Sequence, residues 1–146
     1  MAPQKILWIE DDYYNYQSLF RPLQLMGISL DYALSALEGY NKARKWRMYA
    51  AIVVDIILPL KMEVGEMPEV VKAWEKEQYP GIGLVKWLLA EEKVKIPVII
   101  LSVIDNPIQR YDLQDLGIAD YIPKRGLLPS VVTQRILAAM EGEAAR

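Results

Sequence analysis

Cysteine and histidine are both absent from this 146-residue sequence. Without cysteine there is no disulfide and no thiol chemistry. Without histidine there is no imidazole base, no Ser-His triad, no His-bound zinc and no phosphohistidine on this chain. No apolar run approaches the roughly 20 residues that cross a bilayer. The opening MAPQK is followed by only four apolar residues before the first acids, too few for a signal peptide. Neither charge dominates: 17 basic and 19 acidic residues leave a net charge of −2, which gives no support for direct nucleic-acid binding or for a membrane surface. The expected setting is a reducing cytoplasm.

What is present is apolar sequence in short bursts. At 53% apolar residues the chain can bury a real core, and its length suits one domain. Residues 6–9 read as a first strand. Tyr16, Leu19, Phe20, Leu23 and Met26 then recur at helical spacing until Gly27, with Pro22 expected to kink that helix or delay its start. Residues 28–34 read as a weaker second strand. Ser35 and Glu38 form a capping box for a helix running to about Arg47. Residues 51–57 are a third strand, apolar except for Asp55. A helix over 83–92 carries Leu84, Val85 and Leu88 on one face, and residues 97–101 form a fourth strand. Asn106 caps and Pro107 opens a polar helix ending at Gly117. Residues 119–122 form a fifth strand. Val131, Val132, Ile136, Ala139 and Met140 mark a last helix, with a frayed tail at 141–146.

Apolar strands alternating with helices predict an α/β fold, a (βα)₅ flavodoxin-like doubly wound parallel sheet with helices on both faces. The expected strand order is 2-1-3-4-5, with the ligand crevice where the order reverses, at the carboxyl ends of strands one and three. The connection from Pro59 to Gly83 is far longer than the roughly 2–6 residues usual after a strand. Within it, Pro68 is placed to start a helix, and Val70, Val71 and Trp74 are candidate buried contacts. Residues 61–80 are therefore expected to be a helical insertion after strand three, in a single domain spanning 1–146.

Chemistry concentrates at the strand ends. Glu10, Asp11 and Asp12 close KILWIEDD, and Asp55 sits inside AAIVVDIILPL. A charge at the end of an apolar run is costly unless the strand delivers it to a site. Asp12 alone fits the bland reading of an acid at a helix start, and Trp8, Trp46 and Trp87 are assigned to packing. Ser102 follows the fourth strand (PVIILS) and Lys124 the fifth (YIPK). Carboxylates crowded at one sheet edge hold protons unless a cation joins them. Mg²⁺ suits such a site, because it takes a few carboxylates, keeps water and shares phosphate oxygens. One carboxylate can then act as a nucleophile toward phosphorus, with Lys124 as point charge and Ser102 as hydroxyl.

The ordered set KILWIEDD, VVDIILP, PVIILS and DYIPK resembles the receiver domain of two-component response regulators, of the chemotaxis-regulator kind, over nearly the whole chain. The resemblance implies that Asp55 is the phosphoacceptor. It implies that Glu10 and Asp11 are the acidic pair holding Mg²⁺, with Asp11 a direct ligand beside Asp55 and the main-chain carbonyl of Ile57. Ser102 and Tyr121 match the switch residues, and Lys124 the lysine that pairs with the phosphate. It further implies a histidine kinase or phosphotransfer protein as donor. The chain itself would be a phosphoacceptor, with at most slow autodephosphorylation, rather than an enzyme.

Some positions depart from that pattern. Arg125 stands where receivers carry a proline after a cis bond; a cis non-proline bond costs roughly 2.5–4 kcal/mol, so a trans bond is expected. Val103 replaces a small residue and is expected to narrow the approach to the phosphate and hinder inward rotation of Tyr121. Ile57 and Ile104 flank the site with apolar surface, which predicts a long-lived phosphoaspartate. With no length left for a DNA-binding domain after the fifth helix, the expectation is a stand-alone receiver that signals by binding a downstream protein or by dimerising. A degenerate receiver used only for docking is the alternative. A Mg²⁺-dependent phosphohydrolase ranks last, because Ile57 stands where aspartyl-nucleophile hydrolases carry a second acid.

Overall fold

The structure, a computed structural model, describes residues 4–62, 65–104 and 106–142. Five strands, β1 (Lys5–Ile9), β2 (Ser29–Ala33), β3 (Ala51–Val54), β4 (Val98–Ser102) and β5 (Asp120–Pro123), pair in parallel in the order β2-β1-β3-β4-β5. This is the expected topology. Between and after the strands lie α1 (Gln17–Leu25), α2 (Ala36–Ala43), α3 (Glu69–Lys72), α4 (Pro80–Lys86), α5 (Pro107–Leu116) and α6 (Pro129–Glu141). Among the described residues, no helix is long and apolar enough to cross a membrane.

The period of two along each strand explains why both sheet faces need helices. Leu7, Ile9, Ile52, Val54 and Ile100 join one core with Leu37 of α2, Leu84 and Val85 of α4 and Leu113 of α5. Their neighbours Ile6, Trp8, Ala51, Val53, Ile99 and Leu101 join a second core with Leu19, Phe20 and Leu23 of α1 and Val132, Ile136 and Ala139 of α6. The predicted caps hold: Asn106 Oδ1 accepts from the N–H groups of Ile108 and Gln109, and Gly117 ends α5 at φ 106°.

The structure corrects several boundaries. α-Helical bonding before Pro22 starts only at Gln17, and Tyr13–Tyr16 forms a 3₁₀ turn; the proline has no N–H for the Ser18 carbonyl. Ser35 Oγ accepts the Glu38 N–H at 3.0 Å, but the Glu38 carboxylate reaches back to the Leu34 N–H rather than to that of Ser35. α2 ends at Ala43, and Trp46–Met48 is a separate 3₁₀ turn. β3 stops at Val54, so Asp55 stands just past the strand. The helix expected over 83–92 begins earlier, at Pro80, and closes in a π turn, Trp87–Glu91.

Of the 61–80 segment, residues 63 and 64 lie outside the described residues, as do 143–146 of the expected tail. α3 and the 3₁₀ turn Ala73–Lys76 form where Pro68 predicted a helix start. Val71 and Trp74 are buried in the first core, and Val70 packs beside it. The Trp74 ring lies 6.0 Å from that of Tyr40 and 6.5 Å from that of Trp87. Two glycines admit this packing. A Cβ on Gly83 would stand 2.4 Å from Trp74 Cγ, and one on Gly81 would stand 2.4 Å from Ile56 Cα. The chain is pinned on either side of the segment. The N–H groups of Ala36 and Leu37 donate to the carbonyls of Pro59 and Leu60, and the Gly81 N–H donates to that of Ile56.

Trp74→Ala is expected to cost about 3–5 kcal/mol, read from the urea midpoint, while the exposed Glu75→Ala stays within about 0.5 kcal/mol. A Trp74→Ala loss below about 1 kcal/mol would mean that this segment is tethered rather than packed.

Candidate functional site

The backbone ladder runs one step beyond the strands and sets the site. The Glu10 N–H donates to Ala33 O at 2.9 Å, the Asp55 N–H to Ile9 O at 3.0 Å and the Lys124 N–H to Ser102 O at 2.9 Å. Side chains that follow β1, β3 and β5 are thereby brought to one edge of the sheet. Carboxylate oxygens of Glu10, Asp11 and Asp55 lie within 4.8 Å of one another, with Glu10 and Asp55 buried and Asp11 exposed. The Lys124 ammonium enters between the two buried acids, donating to Asp55 Oδ2 at 2.8 Å and to Glu10 Oε1. The second Asp55 oxygen accepts the Ile57 N–H at 3.0 Å. Asp12 lies outside this cluster, bonded to the side chain of Asn15.

Two buried carboxylates thus share one ammonium. Burial first, and then the Asp55 carboxylate, push the Glu10 carboxyl up to about 8 against the pull of Lys124. Burial pulls the Lys124 pKa down, but Asp55 and Glu10 outweigh it and hold the ammonium above the usual lysine range. Three converging hard oxygen ligands with surplus negative charge fit a cation such as Mg²⁺, which would take the place of the proton on Glu10.

Ser102 and Tyr121 occupy a neighbouring cluster. Ser102 is fully buried, and its Oγ accepts the Ile104 N–H at 3.1 Å. Tyr121 is in the core on the α4–α5 side, its hydroxyl donating to Ile104 O at 2.5 Å and its ring 5.0 Å from the Arg110 guanidinium carbon. The ring is therefore already inside. Val103 turns outward, 40% exposed, while Tyr121 is buried. The Lys124–Arg125 bond is trans, as expected. Ile57 is partly exposed beside Asp55, and Ile104 packs against the core.

The sequence reading placed Tyr16 only on a helix face. Its ring centroid lies 4.3 Å from Lys124 Nζ. The available signal was weak: three tyrosines in four residues just past the acids.

No family model matches the chain, and no curated protein matches its sequence. Solved structures do. The non-phosphorylated HemR receiver domain from Leptospira biflexa superposes with TM-score 0.71 at 22% identity, covering 94% of each chain. A two-component response regulator from Clostridium difficile gives 0.69 at 23% identity, over 95% of this chain and 97% of the other. The BeF3-activated N-terminal receiver domain of Klebsiella pneumoniae RstA gives 0.69 at 18% identity, over 94% of this chain and 98% of the other. The fold is that of response regulator receiver domains.

The charge balance gives a pH prediction. The Glu10 carboxyl binds its proton more tightly folded than unfolded, so the metal-free fold loses this contribution as pH rises from the unfolded value near 4.5 through about 8. A divalent cation competes with that proton. The rise in Tm on adding Mg²⁺ is therefore expected to be larger at about pH 8.5 than at about pH 6. An equal rise at both would contradict a protonated Glu10.

Proposed function

We propose that this chain is a receiver domain that accepts a phosphoryl group on Asp55 from a histidine kinase or phosphotransfer protein, in a Mg²⁺-dependent reaction. It then signals by protein–protein contact, through a downstream target or a second copy. The observation that carries this reading is the joining of Asp55 to Glu10, Asp11 and Lys124 at one sheet edge, in a fold shared with receivers. Residues 1–146 are read as one receiver domain, with 61–80 as an insertion after β3 and a cytoplasmic setting.

In the transfer, an Asp55 carboxylate oxygen forms a bond to phosphorus while the donor's N–P bond breaks, and the donor ring, already protonated on its other nitrogen, leaves as neutral imidazole. Glu10, Asp11, Asp55 and the Ile57 carbonyl would hold Mg²⁺, which when bound neutralises the phosphoryl oxygens. Lys124 supplies a fixed positive charge beside the acceptor oxygen. The Ser102 hydroxyl has a proton free to donate while its oxygen accepts from Ile104. Ile57 and Ile104 place apolar surface near the acceptor, which slows hydrolysis of the acyl phosphate.

A second reading, a docking module that works without phosphorylation, draws support from the closure of the site: the Asp55 side chain is only 6% exposed. Beryllium fluoride with Mg²⁺ separates the two by raising Tm only if the phosphoryl position is open to ligand.

Treatment with acetyl phosphate and Mg²⁺ is expected to add one phosphoryl mass on the Asp55 peptide, with the label persisting after donor removal. Asp55→Asn should abolish it. A label retained in Asp55→Asn would refute the assignment of Asp55, and rapid loss from the parent protein would refute the slow hydrolysis.

A further inference from the structure

Lys124 has a neighbour that the phosphoacceptor reading does not use. Its ammonium faces the ring of Tyr16, where the electron-rich face attracts a cation. The lysine side chain is only 5% exposed, so the pairing is largely desolvated, the condition in which such contacts are strongest. Beyond Lys124 the backbone runs through a trans bond and Arg125 to Gly126 at φ 87°. That is a glycine turn, with no ring to lock the lysine. Among the described residues, Glu10, Asp55 and Tyr16 give the ammonium side-chain contacts that hold its position.

Tyr16 stands on a 3₁₀ turn at the edge of the second core. It ends the 3₁₀ turn at φ −118°, ψ 20°, outside the α-helix that begins at Gln17. The Asn15 amide fastens the turn to both carboxylate oxygens of Asp12 at 2.8 Å, an exposed contact. No residue of the turn is fully buried. Tyr13 and Tyr16 pack only partly buried against the second core, with the Tyr13 ring 4.8 Å from that of Tyr32, so moving the ring off Lys124 costs this edge packing as well as the turn.

We propose that Tyr16 is a positioning residue of the site: its ring holds the Lys124 ammonium against Asp55 and covers the pocket. Water and small reagents then reach Lys124, and a phosphorylated Asp55, when the Tyr13–Tyr16 turn moves aside. The second half rests on the phosphoacceptor reading. The step that the ring restrains is hydrolysis: a water oxygen bonds to phosphorus, the acyl O–P bond breaks, and Asp55 carboxylate and inorganic phosphate result.

The full chain, Tyr16→Phe and Tyr16→Leu are compared, with Tyr16→Met as a second ring-free variant. Trace acetylation with acetic anhydride is quantified on the Lys124 peptide relative to exposed Lys45. Tyr16→Phe is expected to match the parent, because the ring remains, while Tyr16→Leu and Tyr16→Met label Lys124 about three- to tenfold more. After phosphorylation by acetyl phosphate, the Leu and Met variants should lose phosphate about three- to tenfold faster, and Phe should not. Ring-free variants that label like the parent, or a Phe variant that labels like Leu, would overturn the proposal. If even the parent takes no phosphate at Asp55, the phosphoacceptor reading fails, and the lysine labelling alone still decides whether Tyr16 holds Lys124.

Discussion

A single buried ammonium between two buried carboxylates holds the functional edge of this protein together. Removing such charges from water costs several kcal/mol per ion, and attraction offsets that only where geometry and hydrogen bonds are good. Lys124 meets the condition with donors to Glu10 and Asp55 and an aromatic face beside it. The arrangement still carries surplus negative charge, with exposed Asp11 adding to it. Burial and the Asp55 carboxylate favour a proton on Glu10, and the same oxygens fit a cation. The apolar strands below cannot share that burden. They fix where the charges stand, through ladder bonds that continue from Ala33, Ile9 and Ser102 to Glu10, Asp55 and Lys124.

Most of the architecture was legible, because apolar strands buried on both faces leave a signal that survives without any relatives. The runs around Leu7, Val53 and Ile99 read directly as central strands, and the charges ending them named the edge of the sheet. The errors fall where tertiary contact overrides local pattern. The π turn at Trp87–Glu91 has no sequence mark; it lies where Trp87 packs with Tyr40 and near Trp74. The Glu38 carboxylate found the Leu34 N–H one residue from the textually expected partner, a difference that motif spacing does not resolve. Tyr16 was missed for a similar reason. It shares the core-facing side of Leu19, Phe20 and Leu23 although it lies outside the α-helix, but its ring also meets a lysine far away in the chain, and no local pattern reports such a pairing.

The long segment after β3 is separated from Asp55 by its anchors. Pro59 and Leu60 are bonded to the start of α2, and Gly81 returns to the carbonyl of Ile56. Asp55–Ile57 therefore sits on backbone held on both sides, whatever occupies the segment between. Trp74 gives that segment a fixed place, wedged over Gly83 where a side chain would collide. Its packing lies on the α2–α4 face, whereas Tyr16 approaches Lys124 from the start of α1, next to the opposite core. The edge that carries Asp55 is thus flanked by two separate elements, Trp74 packed in the first core and the Tyr13–Tyr16 turn at the rim of the second.

Ile104 links the two residues assigned to switching. Its N–H donates to Ser102 Oγ, and its carbonyl accepts from the Tyr121 hydroxyl. Ser102 can keep the first bond while donating its own proton elsewhere, since a hydroxyl has one donor and two acceptor positions. A pull on Ser102 from a phosphoryl oxygen would then draw the Ile104 peptide with it, and Tyr121 follows through the second bond. Tyr121 is already buried under Arg110, so a swing from solvent into the core has no distance left to cover. Val103, next to that link, and Ile108 and Tyr111 on the first turns of α5 are exposed. Under the proposed function, a signal carried by Ser102 and Tyr121 passes through the Ile104 peptide that joins them.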